Sequence, residues 1–241
     1  MHGICCAAWC WAEHWLPYFA RHGYVCWALS LRGHGASAGR ERLRWTSLAD
    51  YVADVAQVAA QMDRPPIVMG HSMGGMIVQK YLETHPAPAG ILLAAVPPQG
   101  GLRATLRAFR RQPRALLKAA WHLNMFHTLG TPGLAREACF SAGVPQEVLA
   151  GFVRRLQDES IRAYLDMVLL DLPRPGRVKT PLLVLGAAQD VLVAPDEVEA
   201  TGRAYGARTE LFPGMAHMMM LEAGWQVVAD RILAWLAEQG L

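Results

Sequence analysis

Ile67-Val68-Met69-Gly70-His71-Ser72-Met73-Gly74-Gly75-Met76 is the stretch on which the reading of this chain turns. Three apolar residues run into a Gly-x-Ser-x-Gly string, and a helix-competent segment, 76–82, follows it. A serine hydroxyl is a weak nucleophile unless it is presented to a general base that a third group orients. A sharp strand-to-helix turn supplies the presentation. Glycines on either side leave room for a strained backbone, and the helix N-terminus beyond directs amides and the positive dipole end at the site. Ser72 is therefore expected at the tip of a nucleophile elbow, with the Met73 N–H as an oxyanion donor. Such a string also arises by chance in a chain with 22 glycines, so its company decides.

Outward from the elbow, apolar runs at 23–31, 66–69, 90–96 and 181–185 are each bounded by Gly or Pro, and a last strand is expected near 207–212. Continuous apolarity over that length is what a parallel strand buried on both faces requires. Between the runs lie helical patterns: Leu48, Tyr51, Val52, Val55, Val58 and Met62 share one face, with Ser47 as N-cap and Asp50 as its capping-box partner. Alternating strand and helix predict an α/β fold, a mostly parallel central sheet flanked by helices. The alternation stops between 97 and 177, where only helical segments are legible: 102–111, 114–126, 132–141, 145–156 and 161–170. The expected organisation is a core of 1–96 and 178–241 with a helical cap at 97–177, closed by an amphipathic helix at 225–236.

Two further residues complete the chemistry. Asp190 ends a Gly-Ala-Ala-Gln-Asp turn after the fourth run, and His217 lies in Pro213-Gly214-Met215-Ala216-His217 just past the last expected strand. Ser, Asp, His is the chain order of a nucleophile-elbow hydrolase, and all three fall on loops at the carboxyl ends of parallel strands, where open α/β sheets bind ligands. Asp166 and Asp171 are the rival acids, but both sit in the last cap helix with a periodicity that reads as a solvated face. His14, His22, His85, His122 and His127 fall in helical or linker contexts.

With these residues in place, the chain resembles the α/β-hydrolase superfamily over nearly its full length, most closely the cap-bearing esterase, lysophospholipase and monoacylglycerol-lipase-like branch. Besides the elbow, His2-Gly3, Arg32-Gly33-His34-Gly35-Ala36-Ser37 and Gly214-Met215-Ala216-His217 with Glu222 behind it carry the likeness. The resemblance implies that Ile4, following His-Gly, lends the second oxyanion N–H, and that His34 and His71 serve packing and loop hydrogen bonding. It implies an acyl-enzyme route to ester hydrolysis with no metal and no organic cofactor. Serine at the elbow disfavours dehalogenase and epoxide hydrolase chemistry, which use aspartate there. Haloperoxidases, hydroxynitrile lyases, C–C hydrolases and non-catalytic ligand-binding relatives remain alternatives, because fold does not fix function. Two positions depart from the family pattern. Ser30 stands where many relatives carry an acidic residue, and His-Gly, elsewhere at the end of a central strand, stands at positions 2 and 3. The natural protein is expected to extend upstream by roughly 20 to 30 residues, to supply the missing strands.

Composition narrows the partners. With 23 basic and 20 acidic residues the net charge is +3, too balanced for a nucleic-acid binder, so a small-molecule or lipid-like ester is expected. Five cysteines, an odd set crowded toward one end, fit reduced thiols and a cytoplasmic location, and they lack the paired knuckles of a structural zinc site. No apolar run reaches the ~18 residues of a membrane span, and the opening apolar stretch has no basic region before it. Trp9, His71, Trp121 and Met218 are the candidate pocket side chains. Arg103, Arg107, Arg110, Arg111, Arg114 and Lys118 form a basic run on the cap, readable as a solvated face or as an attraction for anionic headgroups.

Overall fold

Three of the apolar runs and the last expected strand pair into one parallel sheet in the computed structural model, which describes all 241 residues. The strands are β1 (Val68–His71), β2 (Gly90–Leu93), β3 (Leu182–Ala187) and β4 (Arg208–Phe212), adjacent in that order. Side chains alternate across the sheet. Ile91, Leu93, Leu183 and Leu185 enter one core cluster, while Leu92, Leu182 and Val184 enter the other. Both faces of β2 and β3 are therefore dry, which is why these strands read as unbroken apolar runs. The register sets Gly70 beside Leu92 and Leu92 beside Val184, so the carboxyl ends of β1, β2 and β3 open at one edge. β4 closes the sheet with charge on its outer side: Arg231 holds Glu210, and Arg208 reaches Glu210 and Glu238, which blunts an exposed strand edge.

Helices α1 (Trp9–Ala12), α2 (Trp15–Arg21), α3 (Leu48–Ala59) and α4 (Met73–Tyr81) belong to the first half of the chain. α3 starts as its sequence requires: Ser47 Oγ accepts from Asp50 N at 3.1 Å and Asp50 Oδ2 accepts from Ser47 N at 2.8 Å, a capping box contributing about 1 kcal/mol. Its buried face is Leu48, Tyr51 and Val55. Between β2 and β3 come α5 (Leu102–Arg111), α6 (Pro113–His122), α7 (Pro132–Cys139), α8 (Gln146–Arg155) and α9 (Ile161–Leu165), the last running into a π turn at Asp166–Leu170. α10 (Pro195–Tyr205) and α11 (Trp225–Glu238) complete the chain. No helix is long and apolar enough to cross a membrane.

Three expectations need correction. Residues 23–31 form no strand: Gly23 lies in a turn, 24–31 join no ladder, and Leu31 N–H turns instead to His2 Nε2 at 3.2 Å. The segment alternates, with Tyr24, Cys26 and Ala28 against the core and Val25 and Trp27 exposed. The second cap helix stops at His122 rather than 126, since Leu123 takes a left-handed conformation and Asn124 caps a separate short turn. Asp166 is buried rather than solvated. It accepts Leu48 N at 3.1 Å, at the start of α3, and Arg162 Nε at 2.8 Å.

Candidate active site

Ser72 sits between β1 and α4 with φ 55° and ψ −120°, a conformation that strains a non-glycine residue by about 1–3 kcal/mol and persists only when its surroundings impose it. The surroundings are close. A β-carbon on Gly74 would lie 2.5 Å from the carbonyl oxygens of Met1 and His2, and one on Gly75 would overlap Ala95. The glycines of the string are thus demanded by backbone approach rather than by left-handed torsions. Ser72 N donates to Leu93 O at 3.1 Å, tying the turn to the end of β2. Met73, the first residue of α4, has no carbonyl one turn back within its helix to receive its N–H.

Asp190 and His217 meet 27 residues apart in sequence: His217 Nδ1 donates to Asp190 Oδ2 at 2.7 Å, and both side chains are buried. Asp190 Oδ1 also accepts from Leu192 N at 2.8 Å and Val193 N at 3.0 Å, so with His217 three hydrogen bonds from two directions set the orientation of this carboxylate. The bond at Nδ1 leaves Nε2 of His217 as the nitrogen available to other groups. The His217 backbone is held from the other side, its carbonyl accepting from His71 Nε2 at 2.9 Å. Burial first, then the neighbouring His217, keeps His71 well below the ordinary imidazole range, so it is a neutral ring with Nδ1 unprotonated and without a partner. Glu222 ties the same loop down by accepting from Ser141 N, Ser141 Oγ and Ala216 N.

One narrow cavity gathers Ser72, His217, His71, Gly3 and Ile4 on its polar side. Its remaining walls are Cys6, Leu129, Cys139, Phe152, Leu192 and Met218, three of them from the helical stretch between β2 and β3. Ile4 N–H has no hydrogen-bond partner within the protein. Of the four candidate pocket side chains, His71 and Met218 line this cavity. Trp9 does not; it packs edge-on against Phe152, one layer behind the wall, with Arg155 over its ring. Trp121 lies outside altogether, 86% exposed, because α6 turns Ala119 inward and presents Trp121 with Arg114, Leu117 and Lys118 to solvent. Asp171 pairs with Lys80 at 2.5 Å, His14 and His85 stack on Trp225 and Tyr81, and His22 lies tilted against Tyr18, all away from the site. Ser30, the departure in the Arg-Gly-His-Gly loop, accepts Ala8 N on Oγ and Ser37 Oγ on its carbonyl, so the loop is held without a carboxylate at that position.

Cys6, which with Cys5 and Cys10 reads from the sequence as a small pocket-lining or core side chain, does line the cavity, whereas Leu129, Phe152 and the cavity-facing thiol Cys139 carry no motif and are missed. Sequence patterns also missed Glu159, buried among His34, Tyr51 and Cys5; the polar interruption Gln157-Asp158-Glu159-Ser160 between two amphipathic helices was its one visible trace.

Residues 1–231 match the model of the alpha/beta hydrolase family. A monoacylglycerol lipase of Mycolicibacterium smegmatis is 25% identical over 245 residues, covering 93% of this chain and 82% of that protein. A non-heme chloroperoxidase of Burkholderia pyrrocinia is 28% identical over 156 residues, 62% of this chain but only 43% of that relative's length. Among solved structures, an esterase from Exiguobacterium antarcticum superposes with a TM-score of 0.76 at 18% identity, covering 98% of this chain and 90% of that one. The monoacylglycerol lipase of Paleococcus ferrophilus gives 0.73 at 17%, covering 99% and 93%. At such identities these two likenesses speak for the fold alone, whereas the family match spans nearly the whole chain. This protein belongs to the alpha/beta hydrolase family.

Proposed function

We propose that this chain hydrolyses carboxylic esters of apolar, lipid-like acyl groups, with Ser72 as nucleophile, His217 as base and Asp190 as the group that orients it. The observation that carries the reading is the Asp190–His217 hydrogen bond beside a strained Ser72 in one cavity. In this scheme His217 Nε2 takes the Ser72 hydroxyl proton as Oγ attacks the acyl carbon. The amides of Ile4 and Met73 receive the oxyanion, and His217 passes the proton to the leaving alkoxide. Water, deprotonated by His217, then releases the acid and restores Ser72. The scheme routes no step through a metal or an organic cofactor.

An apolar acyl group is supported by the walls of the cavity, where Leu129, Phe152, Leu192 and Met218 leave few polar groups to satisfy. The stretch 97–177 acts as a cap over a core of 1–96 and 178–241, a division supported by its three contributions to the wall. Its outer ridge fits a lipid setting too. Leu102, Leu106 and Phe109 of α5 and Leu117 and Trp121 of α6 are exposed, flanked by Arg110, Arg111, Arg114 and Lys118, which have no carboxylate partner. Arg103 and Arg107 instead anchor α5 on Asp196 and Glu197.

A second reading, cofactor-free haloperoxidase chemistry on the same three side chains, draws on the likeness to the chloroperoxidase. One experiment separates them. Fluorophosphonate labelling and turnover of short and long p-nitrophenyl esters are compared in wild type and Ser72→Ala, beside peroxide-dependent bromination. Ser72-dependent labelling and ester turnover are expected. Their absence would sink the hydrolase reading, and bromination without ester turnover would favour the second.

A further inference from the structure

Glu159 lies between α8 and α9, inside the helical stretch, yet its carboxylate is buried beneath the loop that follows His2-Gly3. Oε1 accepts from Tyr51 Oη and from Ser160 N, both at 2.7 Å. Oε2 accepts from His34 Nε2 at 3.1 Å and from Cys5 N at 3.3 Å. His34 Nδ1 faces the carbonyl of Arg32 at 3.1 Å. With an acceptor at each ring nitrogen, His34 must carry both protons to satisfy them, and so is the cation for this carboxylate. Burial works against both charges. The Glu159 charge and hydrogen bond nonetheless raise His34 above the ordinary imidazole range, and His34, Tyr51 and Ser160 N hold Glu159 below the ordinary carboxylate range. The neighbouring His2, pushed down to about 3 by burial and by His34, stays neutral and accepts Leu31 N.

A buried carboxylate with four donors is costly to assemble and is tolerated only when every lone pair is used. What it holds here is specific. Cys5 is one of four non-glycine residues with positive φ, at 60°. Its N–H is fixed on Glu159, and its carbonyl accepts Gln157 N at 3.0 Å. The residue before it is Ile4, on the cavity wall beside Ser72, with its own N–H free of protein partners. Two anchors only a few atoms downstream, both from segment 157–159, thus dictate which way the Ile4 backbone faces.

We propose that Glu159 is a positioning residue for the reaction: by pinning the strained Cys5 peptide it keeps the Ile4 N–H aimed at the developing oxyanion. The helical stretch then supplies part of the frame of the catalytic site as well as its roof. This rests on the ester hydrolase reading with Ile4 as an oxyanion donor.

All four partners of Glu159 are donors, so Glu159→Gln, with one oxygen and one NH2, cannot serve them. Tyr51→Phe is the milder change, removing one donor and leaving the carboxylate. Both are compared with wild type by steady-state hydrolysis of p-nitrophenyl butyrate, by the rate of fluorophosphonate labelling, and by circular dichroism to confirm folding at the assay temperature. A misaimed donor acts on the transition state and spares ground-state binding. Glu159→Gln is therefore expected to lower kcat by about 10- to 100-fold with KM within about two-fold, and to slow labelling in parallel. Tyr51→Phe is expected to lower kcat by a smaller factor with the same KM pattern. A folded Glu159→Gln protein with wild-type kcat overturns the inference, as does a drop seen wholly in KM. If Glu159→Gln does not fold, Tyr51→Phe decides: lowered kcat at constant KM supports the role, and unchanged kcat overturns it. Absence of Ser72-dependent turnover in wild type removes the hydrolase reading and this inference together, whereas normal wild-type turnover with unaffected variants removes this inference alone.

Discussion

A β-carbon on Gly70 would overlap the carbonyl oxygen of Gly74, so the two glycines meet backbone to backbone across the turn that carries Ser72. Nothing flexible stands between them to give way. Gly70→Ala is expected to destabilise the fold by more than about 3 kcal/mol, the upper range for overpacking, measured by urea unfolding. Gly74→Ala presses instead on the carbonyls of Met1 and His2, so its expected signature is lost ester turnover accompanying the lost stability.

Asp190→Asn keeps the shape at His217 but presents an amide that can donate where a carboxylate accepted from Nδ1. Imidazole held in the wrong tautomer cannot serve as the base. A fall in kcat of about 10⁴-fold is expected, with KM and the thermal midpoint much less changed. A loss under tenfold would mean that another group orients the histidine.

Trp121 should be dispensable for both folding and turnover of a small soluble ester. Trp121→Ala is expected to change stability by less than about 0.5 kcal/mol and to leave p-nitrophenyl acetate hydrolysis unaltered. Co-sedimentation with phosphatidylglycerol vesicles, by contrast, is expected to weaken in this variant and in Arg110→Glu, and to fall as salt is raised. Equal retention of all three proteins on the vesicles would dissociate the ridge from lipid.

The Glu159–His34 pair gives stability a defined pH dependence. Glu159 titrates below its unfolded value, so its contribution is present above about pH 4.5 and is lost as pH falls through the lowered pKa. His34 titrates above its unfolded value, so its contribution is complete below about pH 6.5 and is lost as pH rises through the raised pKa. The gap in Tm between wild type and Glu159→Gln is expected to be widest between about pH 4.5 and 6.5 and to narrow on both sides. A gap independent of pH would contradict an ion pair here.

Native thiol chemistry should be slow and ordered. Burial pushes Cys10 up to about 12 and also raises Cys5, Cys6 and Cys139 well above the ordinary thiol range, and all four are shielded. Only Cys26 is partly open. Iodoacetamide at pH 8 is expected to modify Cys26 first and the others only on unfolding, as read by peptide mass mapping.

Much of this molecule is legible in its amino-acid sequence. β2 and β3 are legible because both of their faces are dry, and Ser72, Asp190 and His217 because each follows a strand at its carboxyl end. Residues 23–31 misled because an apolar run states what a segment is fit to bury and says nothing of whether a neighbour is there to pair with it. Asp166 misleads for the opposite reason, and Glu159 draws no reading at all. A charge in a helical region reads as solvated by default, and only the fold brings Leu48 N to one carboxylate and Cys5 N to the other. Trp121 was misjudged because an aromatic side chain has the same sequence signature whether it faces a cavity or the solvent.

The hydrogen bonds at Ser141, Gln157 and Glu159 have a practical consequence for anyone building chimeras within this family. Donor and acceptor lie on opposite sides of the obvious splice points, so transplanting another relative's helices between β2 and β3 would orphan Glu222, the Cys5 peptide and His34 in one stroke. Specificity is more safely retuned by exchanging single wall residues such as Leu129 or Phe152 in place. A whole-segment graft would need to carry these three anchoring positions unaltered, or be accompanied by matching changes in the recipient loops.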